Sequence, residues 1–409
     1  MTATPRGGRV RGSWLTGALP VFTLALCLRP ALTAVGPLVP RLREDLGLGE
    51  ASLGALAAVP LLAFAVVSPF VHRFARRLGA GGTVLLALLA LTAATLVRSY
   101  AGLSGLWIGT VVLGCAIAFG NVLAPVAVRR TFPVRASAAT GLYSAAMGGA
   151  AGLASLVAVP LADAAGWRFA LGVWALLFGV AAVLWLPVAR LAERVPPVTL
   201  TADPLAGTVW RLRTGWLITA FFGTQAAIFH SMVTWLPAVL VARGHTEQYG
   251  GVQLFVYQGA GILAGLLVPL TMRRSGGQVR ATLCAATPIA VGVLGLVLVP
   301  GITTLWVFLV GAGSGATLVV SLALAGQAGA DHHVVTQLVG MMQSVGYLAA
   351  AVTPVVMGLV VEWTGTWTPA LLILVGLALA MTAVALPTGR IPGASDQAHR
   401  IPLPATGPL

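Results

Sequence analysis

The sequence predicts an all-α polytopic membrane protein, with twelve transmembrane helices in two six-helix pseudo-repeats. Three observations carry that prediction. Hydrophobic residues make up 58% of the 409-residue chain and charged residues only 8%, with 50 glycines. That is too few charges to solvate a globular surface, and glycine is at home in membrane helices. Apolar runs close to the ~20 residues that cross a bilayer recur along the whole length. The basic residues fall unevenly on the connections between those runs.

In chain order the first run, 14–39, is too long for a removable signal peptide and lacks a small-residue cleavage site before polar sequence. It carries Arg29 at its middle. A charge there costs roughly 2.5–3.5 kcal/mol on insertion scales and is rarely kept without a use. All ten Asp and Glu fall in loops, tails or at helix ends, so no acidic residue near the middle of a run pairs with it. An unpaired cation facing a polar cavity suits an anionic or strongly dipolar solute. The alternative is that Arg29 bonds carbonyls freed by Pro30 or snorkels to an interface.

Runs 51–72, 83–97 and 105–128 follow, the last carrying Asn121. Run 137–161 holds Tyr143 and Gly148-x-x-x-Gly152, a spacing that lets backbones approach closely. Run 168–188 closes the first set. The longest polar connection, 189–213, contains Pro196-Pro197 and reads as a linker. Run 214–241 then carries Gln225, His230 and Trp235, and 250–271 carries Gln258 and Gly261-x-x-x-Gly265. Runs 281–299, 303–327, 335–361 and 367–386 complete the second set; 335–361 contains Gln343 and Tyr347. Gly311-Ala-Gly313-Ser-Gly315 is glycine-rich but lacks the Lys-Ser/Thr of a phosphate loop, so gradients rather than a nucleotide must drive any transport.

The domain plan is therefore a cytoplasmic tail at 1–13, a six-helix bundle at 14–188, a cytoplasmic linker at 189–213, a second bundle at 214–388 and a cytoplasmic tail at 389–409. Internal matches support a duplication. Gly47-x-x-Glu50-x-x-x-Gly54 corresponds to Gly244-x-x-Glu247-x-x-x-Gly251, and Pro69-x-x-x-Arg73 to Pro269-x-x-x-Arg273. Asp163-Ala-Ala-Gly166-Trp167 resembles Glu362-Trp-Thr-Gly365-Thr-Trp367. Parallel repeats with a site between them are the arrangement of a secondary transporter.

The chain has no lysine, and its 24 basic residues are all arginine. With both termini in the cytoplasm, 18 of them lie on that side and Arg41, Arg43, Arg98, Arg168 and Arg243 lie outside, the split expected for an even helix count in a plasma membrane. The +14 balance is dispersed over short loops, which reads as topology signals and lipid contact rather than nucleic-acid binding. Cys27, Cys115 and Cys284 all lie within apolar runs and read as packing residues. No catalytic group, metal site or cofactor is expected.

Residues Leu28-Arg29-Pro30-Ala31-Leu32-Thr33-Ala34-Val35-Gly36-Pro37 carry a family likeness, joined by Thr140-Gly141-Leu142-Tyr143, Gly166-Trp167-Arg168, Trp235-Leu236-Pro237 and Gln343-Ser344-Val345-Gly346-Tyr347. On these the chain resembles a major facilitator superfamily transporter, and within it the cyanate permease/nitroimidazole transporter family, over about residues 14–386. The resemblance implies alternating access in a twelve-helix bundle that moves small solutes. Two features depart from the superfamily. Arg73 stands near where the helix 2–3 loop usually carries an Asp, and the fifth run lacks the Gly-Pro element of many drug/proton antiporters.

The leading expectation is a secondary active transporter of a small polar or anionic solute, with a broad-specificity drug or metabolite efflux transporter as alternative. A polytopic enzyme or receptor is distant, because His230 has no carboxylate or second histidine near its depth. The expected solute-binding set is Arg29, His230, Gln225, Trp235, Gln258, Asn121, Tyr143, Gln343 and Tyr347. Each has a plainer alternative: packing for His230, helix–helix bonding for the amides, interface anchoring for Trp235. His230 sits at the depth of Arg29; its ordinary pKa of ~6.5 would permit proton coupling, but a second cation beside Arg29 is repelled unless the solute is an anion. The expected partners are a small-molecule solute, the lipid bilayer and a coupling proton, with no nucleic acid, and the chain is read as a monomer.

Overall fold

The computed structural model describes residues 10–190, 209–272, 277–328 and 332–391. Most of the expected tails and linker, and the match at Arg273, lie outside these residues. The elements are α1 (Val10–Cys27), α2 (Pro30–Thr33), α3 (Val39–Leu46), α4 (Glu50–Val67), α5 (Val71–Tyr100), α6 (Gly102–Thr131), α7 (Ala136–Gly172), α8 (Trp174–Arg190), α9 (Arg213–Ala242), α10 (Glu247–Met272), α11 (Gly277–Leu298), α12 (Thr303–Ala328), α13 (His332–Thr364) and α14 (Trp367–Gly389). No strand occurs among the described residues.

Among the described residues eleven segments are long and apolar enough to cross a membrane, and one of them, Ala138–Arg190, runs 53 residues. At 1.5 Å per residue that is roughly 80 Å, more than twice a hydrocarbon core. It turns back at Ala165 (φ −147°, ψ 19°) and Gly166 (φ 82°, ψ 162°), the latter a conformation that glycine adopts without a Cβ clash. Beyond the turn α8 runs antiparallel to α5. Gly172 lies against the Tyr100 ring at one end, and Trp185 Nε1 donates to the Gly81 carbonyl at the other (3.0 Å). The twelve passes of the sequence reading are thereby accounted for.

The first pass is not one helix. Pro30 supplies no N–H and disfavours α geometry in the residue before it, so the chain breaks at Leu28–Arg29, with Arg29 at φ −118°, ψ −35°. A 3-10 turn at Gly36–Leu38 leads into α3. Within hydrocarbon each carbonyl freed by such a break needs another donor. Pro37 cannot serve Thr33, and the Ser155 hydroxyl of α7 donates to the Thr33 carbonyl instead (3.0 Å). The Thr33 hydroxyl in turn donates to the Ala151 carbonyl (2.9 Å). The Val35 N–H goes to Leu32, and the Ala31 carbonyl accepts from Arg98 Nη1 at 2.6 Å.

Helices α5, α6 and α8 pack together in the first half, and α11, α12 and α14 in the second; α4 meets α13 and α7 meets α10 across the middle. Large apolar side chains such as Leu176 and Val183 stay exposed, as a lipid-facing surface requires. The duplicated glycines sit at equivalent crossings. A Cβ on Gly54 would strike the Pro354 carbonyl of α13, and one on Gly251 the Ser155 carbonyl of α7. Gly148 and Gly152 face Ile262, Phe255 and Gln258 of α10 across the middle. Gly261 and Gly265, by contrast, pack within the second half, against Gly311, Gly315 and Val319 of α12. That crossing, not a phosphate, is what the glycine-rich stretch of α12 serves.

Candidate functional site

The break in the first pass puts Arg29 where the two halves meet. Its guanidinium carbon lies 5.5 Å from the centre of the Phe229 ring of α9, a cation–π contact. The residue is half-buried, and its side chain makes no hydrogen bond or ion pair among the described residues. His230, Tyr143 and Tyr347 all lie within range of its charge.

A chain of rings continues from Phe229. It touches His230 at 5.1 Å and Tyr257 at 5.7 Å between centroids. His230 meets Tyr347 edge-on at 6.1 Å, and Tyr347 meets Phe222 at 5.4 Å and Phe64 of α4 at 5.7 Å. Edge-on contacts at these separations are the favoured arrangement of aromatic pairs. The Tyr257 hydroxyl is spent on Ser314 Oγ (2.9 Å). The Tyr143 hydroxyl is buried with no partner among the described residues. A buried O–H left unsatisfied costs about 1–3 kcal/mol, so it stands ready for an acceptor.

The other expected residues divide. Asn121 follows Gly120, against which Leu28 packs, and so lies at the level of the break with its amide unpartnered. Gln258 is 8% exposed, beside Gly152 at the α7–α10 crossing, and its amide is also uncommitted among the described residues. Gln343 stands one helical turn from Tyr347 on the same face of α13 and is exposed. Gln225 and Trp235 do not join the cluster. Gln225 Nε2 donates to the Ser314 carbonyl (3.2 Å), and Trp235 Nε1 donates to the Pro354 carbonyl (3.0 Å) with its ring on Trp367. Both tie helices of the second half together. Phe229, Tyr257, Phe64 and Phe222 were not singled out by the sequence, since an aromatic residue in an apolar run fits lipid contact equally well. The only hint was the adjacency of Phe229 to His230.

One face of the cluster is closed by charge. Arg41 of α3 reaches both Asp163 of α7 (2.6 Å) and Glu247 of α10 (2.7 Å), spanning the two halves. Arg43 pairs with Glu50, and Arg168 with Asp45, whose carboxylate also accepts from Trp167 Nε1. Glu362 accepts from the Ala51 N–H across the middle (2.9 Å). Arg98 corrects the sequence reading. It was counted among the outer loop charges, but it is 2% exposed inside the first half. It lies two residues short of the end of α5, too near a helix end for composition to distinguish a loop charge from a buried one. Among the described residues no three His, Cys, Asp or Glu come together as a metal site.

Comparison with known proteins bears on the family and the fold. The profile described as Major Facilitator Superfamily matches residues 21–334. The chain is 36% identical over 371 residues to the 2-nitroimidazole transporter of Escherichia coli (strain K12), covering 90% of this chain and 94% of that one. It is 27% identical over 355 residues to the cyanate transport protein CynX of the same organism, covering 85% and 91%. The crystal structure of a D-xylose-proton symporter superposes with a TM-score of 0.75 at 12% identity, covering 93% of this chain and 99% of that one. That likeness speaks to the fold alone.

Proposed function

Because the chain belongs to the Major Facilitator Superfamily, a family of transporters rather than enzymes, we propose that it carries a flat, small solute with an anionic or strongly dipolar end, held by Arg29. The observation that supports this most is the unpaired Arg29 guanidinium against Phe229. A guanidinium offers planar paired donors that match two oxygens on one group, as in a carboxylate, nitrate or nitro substituent. Rings at Phe229, His230 and Tyr347 supply walls for a planar body, and the Tyr143 hydroxyl supplies one more donor. The names of the relatives point the same way. Cyanate is a small anion and 2-nitroimidazole a flat heterocycle with two nitro oxygens. A cationic drug would meet a like charge at Arg29, which disfavours the broad efflux reading.

In this reading the protein works by alternating access, with both termini in the cytoplasm and Arg41, Asp163 and Glu247 forming a latch on the outer face. Exposed ion pairs are worth only about 0.2–1 kcal/mol each, a suitable strength for contacts broken in every cycle. The test is uptake into proteoliposomes of cyanate, nitrate, 2-nitroimidazole and a quaternary ammonium dye. We expect saturable uptake of at least one of the first three and none of the dye; dye uptake without the others would favour the efflux transporter.

A further inference from the structure

We propose that Arg98 forms a second site for a small planar oxyanion, distinct from Arg29 and lying between it and the Arg41 face. Arg98 is 2% exposed and has no carboxylate partner among the described residues. One of its nitrogens, Nη1, holds the Ala31 carbonyl at 2.6 Å. The other two, Nε and Nη2, are buried without partners. Those two N–H groups point in the same direction and make the side-on fork with which arginine grips two oxygens of one anion. The fork is the part left free.

Arg98 lines a cavity of about 60 Å³ together with Thr110, Thr234, His230 and apolar side chains of α4 and α6. Both threonine hydroxyls donate to carbonyls of their own helices, Leu106 and His230. Their donors are therefore spent, and among the lining residues the buried unpartnered donors and the positive charge come from Arg98. A buried, unpaired cation is strongly unfavourable, and a small anion in the cavity neutralises it. A 150 Å³ cavity holds a benzene ring, so this one limits the occupant to a few heavy atoms, the size of nitrate or formate. His230 belongs both to this cavity and to the ring cluster beside Arg29. The inference does not rest on the transport reading, since an anion here would bind whatever solute Arg29 holds.

Nitrate is the probe. The purified full chain carrying Arg29→Gln is melted in detergent across a nitrate titration, with gluconate holding ionic strength constant. We expect a saturable rise of about 2–4 °C in the midpoint, lost on adding Arg98→Gln. Should Arg98→Gln fail to fold, Ala57→Leu decides, because Ala57 also lines the cavity and a leucine there fills it while leaving Arg98 in place. Absence of a saturable rise in Arg29→Gln protein overturns the proposal. A rise that persists in folded Arg98→Gln protein, or in the Ala57→Leu protein where that one decides, overturns it as well. Because Arg29 is already removed, failure of the proposed solute site cannot produce or hide any of these results.

Discussion

Three arginines show how differently a guanidinium can be accommodated in one chain. Arg41 is paired twice with carboxylates, Arg98 holds a backbone carbonyl, and Arg29 lies on an aromatic face with its donors free. Only the last is both unpaired and placed between the halves, which is why it is the residue proposed to hold the solute. Around it, Tyr143→Phe should weaken solute binding by about five- to tenfold, since one hydrogen bond of roughly 1 kcal/mol is removed. It should leave the melting temperature unchanged or raised, because the hydroxyl has no partner among the described residues; a clear fall would make Tyr143 a packing residue. His230→Gln should slow transport less than loss of Arg29, measured as uptake by equal amounts of folded protein, because an amide keeps a donor and an acceptor. Arg29 and His230 stand out in the sequence because polar groups in hydrocarbon are costly, a criterion that marks candidates and not their roles. Gln225 looked the same by that criterion, yet it bonds the Ser314 carbonyl. Sequence alone does not separate an amide bonded within a bundle from one left for a solute.

The broken first pass and the glycine crossings bring Arg29 against Phe229 of the other half. Carbonyls freed by Pro30 were readable from proline chemistry, but the second break at Pro37 and the replacement donors on α5 and α7 were not, the donors coming from 67 and 122 residues away. Helix ends were also poorly legible. The third run, 83–97, corresponds to the part of α5 beyond the non-helical Gly79 (φ 73°, ψ 161°), and what hydropathy misses is the short helical stretch from Val71 before it. The polar turn around Arg73, Arg76 and Arg77 is helical without being apolar, so hydropathy does not register it. The duplicated Gly-x-x-Glu-x-x-x-Gly pattern was legible and has a physical meaning at both copies, a glutamate that forms an ion pair followed by a close crossing. Gly54→Ala should therefore push α4 from α13 and disfavour closure of the Arg41 face. Arg41→Gln should do the same by removing about 1 kcal/mol, a shift of roughly five-fold in population. Spin labels at the exposed positions Glu44 and His245, in protein lacking Cys115 and Cys284, report the distance between halves. Both variants should enrich the longer separation, and an unchanged distribution would show that neither contact controls the gate.

At the scale of the molecule, the bundle of twelve passes and its two related halves were legible because a bilayer imposes length and apolarity on every span. The relation of the halves to the membrane faces rests on arginine counts. Val134, 92% exposed in the α6–α7 loop, replaced by cysteine should react with an impermeant maleimide only after permeabilisation, while His245→Cys should react in intact cells. The reverse pattern would invert the molecule and place the Arg41 latch inside. In the proposed function the solute meets both halves, Arg29 from the first and Phe229, His230 and Tyr347 from the second. The most direct test of that account is equilibrium binding to purified full chain, titrating cyanate, nitrate and 2-nitroimidazole into wild type, Arg29→Lys and Arg29→Ala, with folding confirmed by gel filtration and melting. The account predicts that the solute bound by wild type loses at least tenfold in affinity in Arg29→Ala and most of it in Arg29→Lys, since an ammonium cannot reproduce a planar two-point fork. It also predicts that Arg29→Ala is at least as stable as wild type. Unchanged affinity in folded Arg29→Ala protein would contradict it and make Arg29 a structural residue.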